Sequence, residues 1–199
     1  IANQLSSLGF NEIMANSLTK EDYIHLSETL PSEHTIAMLN PLSTDLKVLR
    51  QSLLFSGLES ISYNINRKNN SLKFYEFGKT YHKYDAKYQE DKHLTLFITG
   101  NRTKESWKTT SQNSDFFYAK GIVIALLNRL GFNNLKTTPT KLDVFSEGIT
   151  LSLGNKIKLV NLGVVKKSIL KEFSIKQEVL FADFNWDNLI KLAGKKKLK

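Results

Sequence analysis

Apolar residues recur at helical spacing in two long segments of the chain. The first segment begins after Ser52 and carries a stripe made of Leu53, Leu54, Leu58, Ile61 and Ile65. This spacing predicts a helix that Ser52 caps and that runs to about residue 66, with one face buried. The second segment, residues 114–131, has Ser114 and Asp115 at its start and Gly131 at its end. These start and stop signals predict the clearest helix of the chain.

Alternating polar and apolar positions, rich in aromatic residues, predict strands in "SLKFYEFGKTY" (71–81) and "HLTLFITG" (93–100). The segment "GITLSLGNKIKLVNLGVV" (148–165) predicts a hairpin that turns at Gly154 and Asn155, a pair suited to positive φ. A further strand, "EVLFADF", precedes a short helix that Asn185 caps. Antiparallel strands mixed with helices, without a regular alternation of the two, indicate an α+β fold with an antiparallel sheet flanked by helices.

The first fifty residues predict shorter elements. A strand is expected across "NEIMANSL" (11–18), followed by a short helix capped by Thr19. The segment "HTIAMLNPLS" (34–43) resembles a strand that ends at Asn40 and Pro41, because proline lacks the amide hydrogen of a ladder. The extended piece "LKVLR" then leads to Arg50 and the first long helix.

Composition narrows the class of protein. The chain contains no cysteine, which excludes disulfides, thiolate zinc sites and cysteine nucleophiles. The absence of cysteine also favours an intracellular setting, and we expect a cytoplasmic protein. No apolar run approaches the roughly 20 residues that cross a bilayer, so we expect no membrane partner. Because the chain starts at Ile1 and ends in "GKKKLK", we expect a piece of a longer protein. Residues 1–192 would form one domain, and residues 193–199 would begin a linker to a following domain.

Positive charge comes mainly from lysine. The net charge is +9, yet only Arg50, Arg67, Arg102 and Arg129 are arginines. Arginine is the usual residue for bidentate phosphate contacts, whereas scattered lysines give a diffuse positive field. Two interpretations remain open at this point: a solvated lysine-rich surface, or a lysine-rich RNA-binding module with strongly salt-dependent affinity.

Motifs for catalysis are absent from the sequence. The ten glycines form no phosphate-binding loop, and no serine lies in a G-x-S-x-G elbow. The four histidines show neither helical pairing nor an acidic partner pattern, which predicts packed or surface histidines and no metal site. Glu76 lies among aromatic residues in a predicted strand and would need a buried partner. Arg50 precedes a helix N-terminus, where a cation is disfavoured, so we expect an acidic side chain or backbone carbonyls of this chain to contact it, with Glu76 as the first candidate.

Several segments, in this order and at this spacing, resemble the central synthetase-like core of the β chain of bacterial phenylalanyl-tRNA synthetase. The resemblance covers nearly all of residues 1–192. The segments that carry it are "GFNEIMANSL", "LNPLSTDLKVLRQSLLFSGLESISYNINRK", "LKFYEFGKTY", "DFFYAKGIVIALLNRLGF" and "VNLGVV". The N-P-L-S, L-R-x-S-L-L and F-x-E-F-G-x-x-Y pieces are the specific part of the signal.

The resemblance implies a fold like the class II synthetase catalytic domain, but without catalysis. Class II enzymes hold ATP phosphates with one arginine after a G-x-x-aromatic strand and a second in a late glycine-rich motif. Here His82 stands at the first position, and no arginine occurs from Lys136 onward. A stand-alone amino-acid ligase on the same fold is the alternative enzyme, and the missing arginines argue against it.

The resemblance also implies partners and a set of structural residues. We expect the catalytic α subunit as partner, in a heterotetramer of two α and two β chains that binds phenylalanine tRNA. The full complex would use ATP and magnesium, with no cofactor or metal bound by this chain. Arg50 could then pair with Glu76 or with a group of the α subunit. The candidate structural or subunit-interface residues are Asn40, Pro41, Arg50, Ser52, Leu53, Glu76 and Gly78.

Overall fold

A seven-stranded sheet organises the protein. The computed structural model describes residues 1–41, 43–103, 107–108 and 110–194. The strands of this part of the chain are β1 (Asn11–Glu12), β2 (Leu18–Thr19), β3 (Val48–Leu49), β4 (Leu72–Tyr84), β5 (Lys87–Thr99), β6 (Asn101–Thr103), β7 (Gln112–Asn113), β8 (Lys136–Pro139), β9 (Phe145–Leu153), β10 (Ile157–Val165) and β11 (Val179–Asn185).

The order of strands in the large sheet is β1-β4-β5-β11-β10-β9-β8. All neighbours are antiparallel except β1, which runs parallel to β4. The strands β2 and β3 form a separate antiparallel pair, and β6 pairs with β7. The last strand of the chain, β11, therefore lies in the middle of the sheet, between β5 and β10.

The described ranges contain five α-helices, which cover the two faces of the sheet: α1 (Ala2–Ser7), α2 (Leu54–Ile65), α3 (Phe116–Arg129), α4 (Lys167–Glu172) and α5 (Trp186–Ala193). Short 3-10 helices occupy Glu21–Leu26, Ser32–His34 and Thr44–Leu46. Helices α1, α3 and α5 pack on one face, around Leu96 and Phe184. Helices α2 and α4 pack on the other face, around Phe97 and Phe181. Apolar side chains thus alternate between two cores along each central strand, as the period of two requires.

The α+β prediction is confirmed, and so are the long elements. The β4–β5 and β9–β10 hairpins, the strand β11 and the helices α2, α3 and α5 all form where the pattern places them. Four residues of the α2 stripe are nearly inaccessible, while Ile65 at its end is half-buried. Helix α2 packs against Phe74 of β4 and Phe97 of β5, as expected from its apolar stripe.

Predictions for the first fifty residues were partly wrong. The strand expected at 11–18 is reduced to the two-residue strands β1 and β2, and Met14 between them is 94% exposed. The strand expected at 34–43 contributes only an isolated bridge from Ala37 to Val48. Backbone groups in this region bond to neighbouring segments and 3-10 turns, so that it wraps over β4 without joining the sheet as a long strand.

Two predicted helix caps were also wrong. Helix α2 begins at Leu54, and its N-cap residue is Leu53. The hydroxyl of Ser52 still accepts a hydrogen bond from the Leu54 amide at 3.1 Å, so it satisfies an early amide from one residue further out. Thr19 lies in β2, and Lys20 occupies the N-cap of the 3-10 helix that follows. By contrast, Asp115 and Asn185 accept amide hydrogen bonds as predicted N-caps do.

Helix α5 continues to Ala193, one residue into the predicted linker, and residues 195–199 of that linker lie outside the described residues. The division into a domain at 1–192 and a linker stays a prediction. Within the described ranges, none of the helices has the length and apolar character needed to span a membrane.

Candidate functional site

Arg50 lies where the backbone passes from β3 to helix α2 and touches strand β4. Its amide donates to the Ser17 carbonyl at 2.9 Å, and its carbonyl accepts from the Tyr81 amide at 3.0 Å. Both hydrogen bonds fix the backbone on either side of the Cα atom. The side chain is therefore directed over the part of β4 that contains Glu76 and Gly78.

Arg50 and Glu76 form a buried ion pair. Arg50 Nη1 lies 2.8 Å from Glu76 Oε1, and the two side chains are 4% and 2% exposed. Arg50 Nε also donates to the Lys79 carbonyl at 3.0 Å. The expectation that Glu76 is the partner of Arg50 is confirmed. A buried charge needs such a partner, since an unpaired one would carry a large desolvation cost.

Gly78 leaves room for this ion pair. A Cβ atom at residue 78 would lie 2.4 Å from Leu53 Cδ2 and 2.5 Å from Arg50 Nη2. Both distances are far shorter than a van der Waals contact, so no larger residue fits beside the present side chains. The glycine of the F-x-E-F-G-x-x-Y segment thus serves the packing of the arginine and leucine of the L-R-x-S-L-L segment.

The candidate residues separate into two groups. Arg50, Leu53, Glu76 and Gly78 form the cluster just described, and Ser52 adjoins it at the start of α2. Asn40 and Pro41 do not join that cluster. They lie in an exposed segment next to Leu39, whose side chain is 98% exposed. The seven candidates thus occupy two different surroundings, a buried cluster and an exposed segment, and their role as structural or subunit-interface residues stays a prediction.

Burial and charge act in opposite directions on Glu76. Burial raises the pKa of its carboxyl group, while the Arg50 guanidinium and a hydrogen bond from the Ala15 backbone lower it. Burial outweighs the other two, so the pKa lies above its ordinary value. The Glu76 carboxyl group is therefore a buried group that the Arg50 guanidinium and the Ala15 backbone hold in place.

A second polar network, which the sequence analysis missed, joins β4, β5 and β11. His93 Nδ1 lies 2.7 Å from Asp183 Oδ1, and His93 Nε2 lies 3.1 Å from Thr80 Oγ1. The expectation that the histidines lack acidic partners is therefore wrong for His93. Two strand pairings bring the groups together, because β5 lies between β4 and β11. Only the order of strands could have revealed this, since His93 and Asp183 are far apart in the chain.

The groups around His93 shift the pKa of its imidazole. Burial lowers the pKa of the His93 imidazole, but the carboxylates of Asp183, Asp91 and Asp187 raise it, and the net shift is upward. Thr80 is nearly inaccessible, at 3% exposure, so its hydroxyl group cannot reach a substrate from solvent. The arrangement resembles a hydroxyl–imidazole–carboxylate triad in its connectivity, but its hydroxyl is buried, and we interpret it as structural.

His82, the residue at the position of the expected ATP-binding arginine, points to the same face of β4 as Thr80. Its Nδ1 atom lies 3.8 Å from Asp91 Oδ2, and its ring stacks on Tyr84 with 6.1 Å between ring centroids. Burial lowers the pKa of the His82 imidazole, and nearby His34 and His93 lower it further. Asp91 raises this pKa but does not outweigh them. A half-buried imidazole with a lowered pKa lacks the permanent charge and the planar fork of donors with which a guanidinium holds phosphate.

No group of three or more histidine, aspartate or glutamate side chains in the described part of the chain could hold a metal ion. The buried Arg50–Glu76 pair and the closed His93 network are the main polar clusters on this face of the sheet. In both clusters the polar groups contact other groups of the same chain.

The fold itself has solved counterparts. The structure of PylSc, a pyrrolysyl-tRNA synthetase of Desulfitobacterium hafniense, superposes with a TM-score of 0.72 at 14% sequence identity, covering 97% of this chain and 66% of that one. A second structure of pyrrolysyl-tRNA synthetase from the same organism gives 0.71 at 13% identity. At such low identity the likeness concerns the fold alone, which is the class II aminoacyl-tRNA synthetase fold.

Sequence comparison is more specific. The family described as "Phenylalanyl tRNA synthetase beta chain CLM domain" matches residues 1–186, and the chain belongs to this family. The phenylalanine–tRNA ligase β subunit of Bacteroides fragilis is 42% identical over 202 residues, covering 96% of this chain and 25% of that protein. The β subunit of Porphyromonas gingivalis is 34% identical over 212 residues, covering 100% and 26%. The chain thus spans about a quarter of the length of these relatives.

Proposed function

We propose that this chain is the noncatalytic structural core of a phenylalanyl-tRNA synthetase β subunit. In this role it supports the catalytic α subunit in a heterotetramer of two α and two β chains, which attaches phenylalanine to its tRNA in the cytoplasm. ATP and magnesium would be used by the α subunit, with no cofactor held by this chain. The relatives' names support the family role, and the buried polar clusters support the absence of catalysis here.

The observation that carries the proposal is the burial of Arg50 and Glu76. These two residues lie in the segments that identify the family, yet their side chains are 4% and 2% exposed and are paired with each other. A catalytic or substrate-binding group must contact the substrate, and neither side chain can do so without breaking the pair. The identifying segments therefore specify packing.

Enzymatic activity of the chain provides the direct test. In a pyrophosphate-exchange assay with phenylalanine and ATP, the purified 199-residue chain should give no rate above the blank. The variant His82→Arg should also remain inactive, since charge stabilisation needs several preorganised donors and one restored arginine cannot supply them. Exchange by either protein, or saturable micromolar ATP binding, would overturn the noncatalytic assignment and favour a stand-alone ligase.

Assembly with the α subunit provides the second test. Leu39 is 98% exposed and lies beside the candidate interface residues Asn40 and Pro41, so its side chain is available for contact with the α subunit. Leu39→Asp should weaken co-purification of the β subunit with its α subunit, without changing the melting temperature of the chain. The matched control is Tyr88→Asp, which places the same charge at another exposed apolar residue.

The result of this comparison decides the role of the Leu39–Pro41 segment. Loss of assembly in Leu39→Asp alone would support an interface at this segment. Equal co-purification of both variants and the wild type, measured by native mass spectrometry, would contradict it. The same spectra report the number of α and β chains in the assembly.

A further inference from the structure

Three lysines surround a concavity at one end of the sheet, which we call the β8–β10 concavity. Its volume is about 200 Å³, and no aspartate or glutamate lines it. Its lysines are Lys136 of β8, Lys141 beyond the end of β8 and Lys158 of β10. Hydroxyl and amide groups form the rest of its polar lining, from Thr138, Thr150, Ser152 and Asn155.

The strand register explains why these groups meet. Lys136 pairs with Ser152 on β9, and Ser152 pairs in turn with Lys158 on β10. Residues that are paired across neighbouring strands point to the same face of a sheet. The two lysines therefore flank Ser152, with Cα atoms about 10 Å apart, which is two strand spacings. The next row, Thr138 with Thr150, adds hydroxyl groups on the same face.

The positive charge of these three lysines is not balanced by the described acidic side chains. Among the described residues, none of the three lysines forms an ion pair with a carboxylate. Lys136 Nζ donates instead to the side-chain oxygen of Asn155 at 2.9 Å. The three lysines therefore place positive charge around the concavity that an anionic ligand would balance.

Protection of the sheet edge does not account for this arrangement. Lysine and proline on an edge strand oppose pairing between molecules, and Lys136 and Pro139 on β8 fit that role. Lys158, however, belongs to β10, which is paired on both sides by β9 and β11. A residue on an internal strand cannot shield an edge. The ammonium group of Lys158 instead adds positive charge to the lining of the concavity.

We propose that the β8–β10 concavity binds a phosphate group, carried either by an RNA strand or by a free anion. Three ammonium groups and the hydroxyls of Thr138 and Ser152 supply hydrogen-bond donors that phosphate oxygens accept, whereas the Thr150 hydroxyl already donates to Asn161. A volume of about 200 Å³ is below the roughly 300 Å³ at which sites begin to enclose small organic ligands, so it suits a single phosphate group. This inference does not rest on the proposed structural role of the chain.

A pair of matched triple variants tests the proposal. The site variant replaces Lys136, Lys141 and Lys158 with glutamine. The control variant makes the same change at Lys167 and Lys171 of helix α4 and at Lys176 after it, three exposed lysines whose replacement alters the net charge equally. Amide NMR spectra of the ¹⁵N-labelled wild-type chain and both variants are recorded during titration with inorganic phosphate and, separately, with a single-stranded octauridylate. Unchanged spectra away from the substituted sites verify that each variant is folded.

We expect saturable shifts at the amides of Thr150, Ser152 and Asn155, at least a tenfold loss of affinity in the site variant, and little loss in the control variant. Octauridylate binding at least tenfold tighter than phosphate identifies RNA as the source of the phosphate. The slope of log K for octauridylate against log salt concentration should then be less steep by about 2 in the site variant, because each lost phosphate contact removes roughly 0.7 from it. Equal or tighter binding of inorganic phosphate identifies a free-anion site.

Two results would overturn the proposal. One is the absence of saturable shifts at these amides with either probe. The other is an equal loss of affinity in the site and control variants, which would show that a diffuse lysine field attracts anions without any site.

Discussion

Replacing Arg50 with methionine should destabilise the protein strongly, because the buried carboxyl group of Glu76 would be left without its partner in the core. Methionine keeps much of the aliphatic volume of arginine and removes the guanidinium. The Lys79 carbonyl would lose the 3.0 Å hydrogen bond from Arg50 Nε at the same time. Removal of one partner from a buried ion pair typically costs about 3 to 5 kcal/mol. We expect a loss in that range, since both side chains are at most 4% exposed.

The double variant Arg50→Met/Glu76→Met separates the cost of the stranded charge from the value of the pair. Apolar replacement of a whole buried ion pair is often neutral in stability. The double variant should therefore be more stable than Arg50→Met alone by about 2 kcal/mol or more, which is most of the desolvation cost of a stranded carboxylate. Urea unfolding followed by far-UV circular dichroism gives the free energies, with the slope checked for each variant.

An exposed ion pair on the neighbouring surface serves as control. Lys79 Nζ lies 2.6 Å from Glu90 Oε2, closer than the atoms of the buried pair, yet both side chains are about half exposed, at 46% and 54%. Surface pairs contribute little because water screens them. Lys79→Met should leave the free energy of unfolding nearly unchanged. A cost below about 1 kcal/mol for Arg50→Met, or a double variant that loses the sum of the two single losses, would refute the reasoning, since both contradict a buried coupled pair.

Long elements of the fold could be predicted from the sequence because their own residues contain the signal. The stripe from Leu53 to Ile61 and the aromatic alternation around Glu76 need no knowledge of the rest of the chain. The pairing of Arg50 with Glu76 was within reach for the same reason, since a buried carboxylate and a disfavoured cation each require a partner. The segments that contain Arg50 and Glu76 lie close together in the chain, and the two side chains are in contact in the structure.

The first fifty residues and the His93 network could not be predicted in the same way. Met14 and Leu39 are apolar and sit at positions that fit a strand, but both are almost fully exposed, so the alternation does not report a buried face. The contact of His93 with Asp183 depends on β11 entering the sheet beside β5, which no local pattern encodes. Sequence periodicity describes a single segment, whereas these features depend on which segments lie next to each other in the folded protein.

Three substitutions test the packing and the polar network of the sheet. Leu58→Ala should cost about 2 to 5 kcal/mol in urea unfolding, because the side chain is fully buried and its loss leaves a cavity; a cost under about half a kilocalorie would contradict this. Gly78→Ala should cost about 1 to 3 kcal/mol, since the new methyl group would lie 2.4 Å from Leu53 Cδ2, and an unchanged melting temperature would show that the cluster yields freely. Asp183→Asn should lower the pKa of His93, because it removes the nearest of the carboxylates that raise that pKa above the ordinary 6.5. A raised pKa means that the folded chain binds the proton more tightly than the unfolded chain. The wild type should therefore lose stability as the pH rises from about 6.5 through the pKa of the folded state, and Asp183→Asn should lose less over the same interval. Ring-proton NMR titration of His93 and unfolding at the two ends of this pH interval measure both effects, and an unchanged His93 titration in the variant would show that Asp183 does not control its charge.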